Sequence, residues 1–245
     1  MAALRGRGAA VAGPCRSSPA GLRNQRISIS VQSRGMQFPN ARILIFAKAP
    51  QPGRVKTRLI PALGAEAAAS LYEALLDTTV ARAVAARLAP VQCCCTPHTE
   101  HPVFQAMTED YGISLTPQRG EDLGERMEAA ARLALNEAEF VLLIGGDCPV
   151  LQSEHLQQAL SWLASGVDAV VGPAEDGGYV LLGLRQPASE LFKEIPWGGD
   201  GVLDKTRERL DRLGWRWQEL PLLWDLDRPE DLLRYRAMRA ENPGR

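Results

Sequence analysis

The sequence predicts an α/β fold, with a mixed, mostly parallel central sheet and helices on both faces. Three observations carry this. Strand-like and helix-like segments alternate along residues 41–245. Residues 43–47 and 140–144 are unbroken apolar runs, as in strands buried on both faces. Each run gives way to a short loop of glycine, proline and charged residues, where an open α/β sheet binds its ligands.

Composition narrows the possibilities. The chain has 245 residues, 45% of them hydrophobic, enough for one large domain with a sizeable core. The net charge of −1 gives no sign of a nucleic-acid partner. No run reaches the roughly eighteen apolar residues of a membrane span. Charge is placed unevenly: residues 1–40 hold six Arg and no acid, leaving −7 on residues 41–245. We expect residues 1–40 to be a disordered leader and residues 41–245 a single domain. The leader reads either as a transit peptide or as a misplaced start with Met36 as the true first residue. The second reading is preferred, because nothing before Met36 shows core periodicity. Five Cys, three adjacent at Cys93–Cys95 and none in a CxxC pair, argue for a reducing, cytoplasmic setting. They read as small buried strand residues rather than as metal or redox groups.

Taken in order, residues 42–47 form the first strand. The loop after it carries Lys48, Arg54, Lys56 and Arg58 and no acid, which suits it to phosphates. It is neither a GxxxxGK[ST] loop nor a GxGxxG turn. Residues 65–88 read as a helix burying Leu71, Leu75 and Val84, 91–95 as a strand, 100–110 as a helix and 113–115 as a strand. His98 and His101 are expected to be exposed. Gly120 and Gly124 flank the start of a helix running to about residue 137, and would let a base or ribose approach closely. The strand 140–145 ends in Gly145, Gly146 and Asp147, a carboxylate placed for Mg²⁺ or Mn²⁺ on a phosphate-bearing ligand or, alternatively, for capping the helix at 153–165. Strands at 168–172 and 180–184 flank a turn with Glu175, Asp176, Gly177 and Gly178, where either acid is placed to meet an acceptor hydroxyl or act as base. Helices are expected at 189–195 and 199–213, with a Gly-rich loop at 197–200 as a flap over the site. A strand at 215–220 precedes Asp225 and Asp227, which alternate onto one face. Asp227 either joins Asp147 on one metal or caps the last helix, 229–241.

Five segments, AKAPQPGRVKTRL (47–59), QRGEDLGERM (118–127), LIGGDCP (143–149), PAEDGGYVLLGL (173–184) and WDLDRPEDL (224–232), resemble in this order a bacterial family. It is the glycosyltransferase-A-fold family labelled as arsenosugar-biosynthesis-associated glycosyltransferases, related to phospholactate guanylyltransferase and the molybdenum-cofactor nucleotidyltransferases. The resemblance spans about residues 41–240. It implies a three-layer, Rossmann-like glycosyltransferase-A fold. It also implies phosphate contacts from Lys56 and Arg58, metal-side acids at Asp147 and Asp227, a nucleobase segment at Gly120 and Gly124, and an acceptor-side turn at Asp176, Gly177 and Gly178. Relatives usually carry Ser or Thr where this chain has Gly146.

Three functions are then open. The first is metal-dependent glycosyl transfer from a nucleotide-sugar to a small-molecule acceptor. The second is transfer of NMP from an NTP to a phosphorylated small molecule, which the cationic loop favours. The third is nucleotide binding without catalysis. Mg²⁺ or Mn²⁺ is the expected cofactor in the first two.

Overall fold

A computed structural model describes residues 35–241. Most of the expected leader, with Cys15 and all six of its Arg, lies outside the described residues. Residues 37 and 38 already pair with the backbone of Arg87 and Leu88.

Seven strands form one sheet: β1 (Ala41–Lys48), β2 (Val91–Thr96), β3 (Ser114–Pro117), β4 (Phe140–Gly145), β5 (Ala169–Pro173), β6 (Tyr179–Leu184) and β7 (Trp217–Glu219). Their order is β3-β2-β1-β4-β6-β5-β7. All are parallel except β6, which runs against both β4 and β5. The expected mixed, mostly parallel sheet is therefore present. Six main helices are α1 (Ala65–Ala85), α2 (Pro102–Tyr111), α3 (Leu123–Leu135), α4 (Ser153–Ala164), α5 (Val202–Arg212) and α6 (Pro229–Glu241).

Alternation of side chains along the strands splits the core in two. Ile43, Ile45, Cys93, Cys95, Leu142 and Ile144 face one way and pack on Tyr72 and Leu76 of α1, Phe104 of α2 and Leu156 and Leu160 of α4. Leu44, Cys94, Val141 and Leu143 face the other way, onto Met127 of α3 and Leu203 and Leu210 of α5. That makes three layers. The Cys run is buried strand, as expected, and burial pushes the Cys94 thiol up to about 12. Helix α6 packs Leu232 against Leu59, Leu75, Trp224 and Leu226.

Several boundaries differ from expectation for identifiable reasons. The helix expected at 189–195 is only a single turn, Ser189–Leu191. Pro196 disfavours the helical conformation at Ile195, and Glu194 is left-handed at φ 52°. The strand expected at 215–220 covers only three residues; at its start the Arg216 amide donates to the Asp168 side chain rather than to a strand neighbour. The buried face of α1 is centred on Tyr72, Leu76 and Val80; Leu75 belongs to it, while Leu71 and Val84 lie half-buried at its margins. His98 is exposed as expected and faces Glu100, whereas His101 is half-buried at the start of α2.

This topology brings distant segments to one edge. After β1 the chain builds outward to β2 and β3, then crosses back to place β4 on the other side of β1. That reversal makes the carboxyl ends of β1 and β4 the natural crevice of the sheet. Because β6 is antiparallel, the turn from β5 into β6 opens at the same edge. A bridge between Ala174 and Leu223 draws the segment after β7 to it as well.

Candidate active site

Asp147 follows β4 and Lys56 lies in the loop after β1. The Lys56 ammonium donates to Asp147 Oδ2 at 2.7 Å and lies 3.7 Å from Asp227 Oδ1. Its side chain is only 3% exposed, so this charge is committed to its partners. The residue takes a left-handed backbone, φ 45°, to reach them. Burial alone would lower the Lys56 pKa, but Asp147, Asp227 and Asp225 outweigh it and the net shift is upward. Arg58 donates to Asp227 Oδ2 at 2.5 Å from a more exposed position. Of the four cations expected to meet phosphate, two are thus paired with carboxylates; Lys48 and Arg54 are exposed beside them.

Neither aspartate acts as a helix cap through its side chain in these contacts. Gln152, with His155, closes the start of α4. Asp231 accepts from the Asp227 and Arg228 amides at the start of α6. The Leu226 amide donates to the Asp147 carbonyl at 3.2 Å, which ties the two acid-bearing segments together. Gly146 sits against α1: a Cβ there would fall 2.7 Å from Leu76 Cδ1, the end of a side chain that would have to turn aside for a Ser or Thr.

A cavity of about 300 Å³ opens between Asp147 and the turn after β5. Phe46, Met127, Leu143, Ile144 and Val180 form its apolar wall, and Asp147, Asp176 and Asp225 its acidic side. Asp176 is exposed; its Oδ1 accepts from the Gly178 amide at 2.9 Å, leaving the second oxygen for a ligand. Glu175 is instead engaged by Arg234 at 2.8 Å. Gly177, at φ 85°, is required by close packing, since a Cβ would fall 2.1 Å from the Asp200 carbonyl oxygen.

The glycines expected beside a nucleobase have internal work as well. A Cβ on Gly120 would meet Glu125 Cβ at 2.6 Å, and one on Gly124 would meet Trp197 Nε1 at 2.4 Å and the Phe192 carbonyl oxygen at 2.7 Å. We expect Gly124→Ala to cost about 1–3 kcal/mol, the usual range for an overpacked site. Urea unfolding measures this, and a blue-shifted or red-shifted Trp emission would report the displaced loop.

Sequence reasoning gave no individual site role to four lining residues, although the loop that opens with Trp197 was expected as a flap. Asp225 was noted only for its alternation with Asp227, yet it is Asp225 that reaches the cavity. Burial, then the charges of Asp147 and Asp176, push its carboxyl up to about 6, against the pull of Lys56. A carboxyl raised by folding binds protons more tightly in the native state, so its contribution to stability falls as pH rises from about 4 through 6. Asp225→Asn should therefore stabilise the apoprotein by about 1 kcal/mol at pH 7.5, after discounting for solvent screening. Thermal melts in chelator should show that gain fading below pH 4. Tyr72, the polar residue within the apolar stripe of α1, accepts from the Lys48 amide at 3.0 Å and lines the cavity. Tyr179 and Trp197 face each other edge-on across 6.4 Å.

Among the described residues, no three His, Cys, Asp or Glu side chains are grouped to hold a metal ion. Asp147 and Asp227 nevertheless converge on one cation, the Lys56 ammonium. Two hard carboxylate donors are also what Mg²⁺ asks of a protein when phosphates supply the rest. The donor set fits a divalent ion that arrives with a nucleotide.

Comparison with known proteins agrees with this architecture. The family model described as an uncharacterized protein conserved in bacteria (DUF2064) matches residues 79–199. A crystal structure from Desulfovibrio desulfuricans G20, assigned provisionally as a nucleotide-diphospho-sugar transferase, is 33% identical. It aligns over 83% of this chain and 89% of its own, with a TM-score of 0.74. The chain belongs to the DUF2064 family. More distant structures share the fold of this DUF2064 chain. CMP:2-keto-3-deoxy-manno-octonic acid synthetase complexed with CTP is 13% identical over 82% of this chain and 99% of its own, with a TM-score of 0.54. A cytidylyltransferase from Leptospira borgpetersenii is 14% identical over 82% and 87%, with a TM-score of 0.56. No curated protein matched the sequence. Among the described residues, no helix is long and apolar enough to cross a membrane.

Proposed function

We propose that this protein is a glycosyltransferase that uses a nucleotide-sugar donor and a divalent cation. The observation that carries the reading is the convergence of Lys56, Asp147, Asp227 and Arg58 at the carboxyl ends of β1 and β4, beside a cavity of sugar size. The nucleotide-diphospho-sugar assignment of the 33% identical relative supports it, as does the motif resemblance described above.

In this reading the diphosphate lies over the loop after β1, met by Lys48, Arg54 and the more exposed Arg58, while the buried Lys56 stays with Asp147. Asp147 and Asp227 would hold the metal, which when bound stabilises the leaving diphosphate as a Lewis acid. Gly120 and Gly124 lie on the nucleobase side. Asp176, rather than the Arg-engaged Glu175, accepts the proton of the acceptor hydroxyl.

Nucleotidyl transfer to a phosphorylated acceptor is the second reading, favoured by the cationic loop and by the cytidylyltransferases that share the fold. One observation weighs against it: among the described residues no Lys, Arg or His lines the 300 Å³ cavity, and the cations nearest the acceptor-side turn, Arg58 and Arg228, line the adjoining cleft. The deciding experiment incubates the protein with Mg²⁺ or Mn²⁺, nucleotide-sugars or NTPs, and cell extract as acceptor source. Release of nucleoside diphosphate from a nucleotide-sugar supports glycosyl transfer; release of pyrophosphate from an NTP overturns it.

A further inference from the structure

The Gly-rich loop before α5 is clamped at both ends and open in the middle. At one end the half-buried Trp197 ring packs into the core layer of α3 and α5. Its indole rests on Gly124, where any side chain would collide with it, and meets Tyr179 edge-on. At the other end the Asp200 backbone presses on Gly177, where a Cβ would fall 2.1 Å from the Asp200 carbonyl oxygen. The Leu203 amide donates to the Gly177 carbonyl at 2.8 Å and fixes that end. Between the clamps run Gly198 and Gly199, both exposed. A Cβ would have open space at Gly198, and at Gly199 would approach the Pro196 carbonyl oxygen at 3.3 Å. These two glycines line both the 300 Å³ cavity and an adjoining cleft that contains Arg58 and Asp227.

Asp176 depends on this arrangement. It sits in a turn whose base is fastened elsewhere, the Glu175 amide donating to the Leu223 carbonyl at 3.0 Å. Within the turn the Gly177 amide donates to the Ala174 carbonyl at 3.1 Å, and the Gly178 amide to Asp176 Oδ1 at 2.9 Å. The tip of the turn, Gly177, is met from outside by Asp200 and Leu203. At each clamp the contact is made on a glycine, so no side chain lies between to absorb a displacement. Gly198 and Gly199 bring no side chain that could seat the loop, which leaves that task to the ring before them.

The geometry points to Trp197 as a positioning residue: docked on Gly124, its ring seats the loop so that Asp200 closes on Gly177 and holds Asp176 at the cavity. The ring acts by packing and not through its N–H, which has no hydrogen-bond partner among the described residues. The inference rests on the proposed glycosyltransferase reading for what Asp176 does, but not for where the loop holds it.

The first test needs no activity. Amide hydrogen exchange is followed by NMR at Gly177 and Gly178, whose hydrogen bonds close the turn. In Trp197→Ala both amides should exchange about three- to tenfold faster, the loss of about one net hydrogen bond, while amides of β1 and β4 keep their protection. Trp197→Phe keeps a ring on Gly124 and should exchange as the unaltered protein does. Unchanged exchange at both glycines in Trp197→Ala overturns the inference. If Trp197→Ala loses protection throughout the sheet, Gly124→Ala decides in its place, since it pushes on the indole while Trp197 is still present. Faster exchange confined to Gly177 and Gly178 then supports the inference, and unchanged exchange overturns it.

The second test is a double-mutant cycle with Asp176→Asn. It measures nucleoside diphosphate release from UDP-glucose and GDP-mannose, with cell extract as acceptor source. Trp197→Ala alone should lower turnover on the order of 10–10²-fold, with the KM for the nucleotide-sugar little changed. Added to Asp176→Asn, it should cost nothing further, because it acts through Asp176. Equal losses in the two backgrounds overturn the inference. If the unaltered protein releases no nucleoside diphosphate, the glycosyltransferase reading fails, and the exchange measurement alone decides the inference.

Discussion

Asp147→Asn should abolish turnover, by on the order of 10²–10³-fold, the loss typical when one electrostatic contact to a developing charge is removed. The fold should survive. The substituted side chain can still accept from the Lys56 ammonium through its amide oxygen, so the 2.7 Å contact keeps its geometry while losing its ion-pair character. Two measurements separate the roles. Nucleoside diphosphate release reports chemistry, and Mn²⁺ binding followed by its electron paramagnetic resonance reports the metal. Metal-dependent nucleotide affinity should drop with turnover. If affinity in the presence of Mn²⁺ is unchanged, Asp147 is not a metal ligand and the assignment falls.

Lys56→Met should have the largest effect on stability. The side chain is nearly fully buried, and its removal leaves Asp147, Asp225 and Asp227 facing one another without an internal cation. Stranding one side of a buried pair costs about 3–5 kcal/mol. Since Asp147 and Asp227 are each about a third exposed and can rehydrate, we expect about 2–3 kcal/mol. That corresponds to a fall in Tm of about 5–10 °C for a domain of this size. Met keeps the length and the strained backbone, so the change isolates the charge. The sign with pH is specific. Pairing raises the Lys56 pKa, so its contribution is intact at neutral pH and lost only as pH rises through the alkaline range. In the variant the unpaired carboxylates take up protons more readily, so the deficit should shrink as pH falls towards about 4. Added Mg²⁺ should recover part of the lost Tm at about pH 7.5, by replacing the missing positive charge. A deficit independent of pH and of Mg²⁺ would show that Lys56 acts by packing alone.

The layer architecture was legible because it rests on local patterns. Residues 43–47 and 140–144 are apolar without interruption, and only a strand covered on both faces needs that. Asp147 and the basic loop were legible for the same kind of reason: each follows such a strand directly. What one element's sequence does not carry is which side chains meet across the fold. The basic loop reads as four free cations. That Lys56 turns inward depends on a left-handed residue and on aspartates 91 and 171 positions away. Asp225 and Asp227 look equivalent by alternation; Asp225 reaches the cavity while Asp227 turns to Lys56 and Arg58. Gly120, Gly124 and Gly177 read as openings for a ligand, and each also makes room for a piece of the protein itself. The loop at 197–200 was legible as a flap from its glycines, but the aromatic pair Tyr179 and Trp197 was not, because an aromatic at a cavity wall looks like any core aromatic until its surroundings are known.

The segment that carries Asp225 and Asp227 follows β7, the outermost strand of its side of the sheet, and it is fastened by the Ala174–Leu223 bridge and the Leu226 amide. The acidic cluster is therefore closed by contacts between the two ends of the domain, as the Arg58–Asp227 pair shows. Pairings of such long range are made late in folding, because they must first overcome the entropy of the intervening chain. A polypeptide still emerging from the ribosome has every residue of β1 through β6, with Lys56 and Asp147 in place to pair, and yet lacks the second carboxylate proposed for the metal until residue 227 is free. On the proposed reading, capture of the ion is in this way reserved for a chain that has reached its last helix.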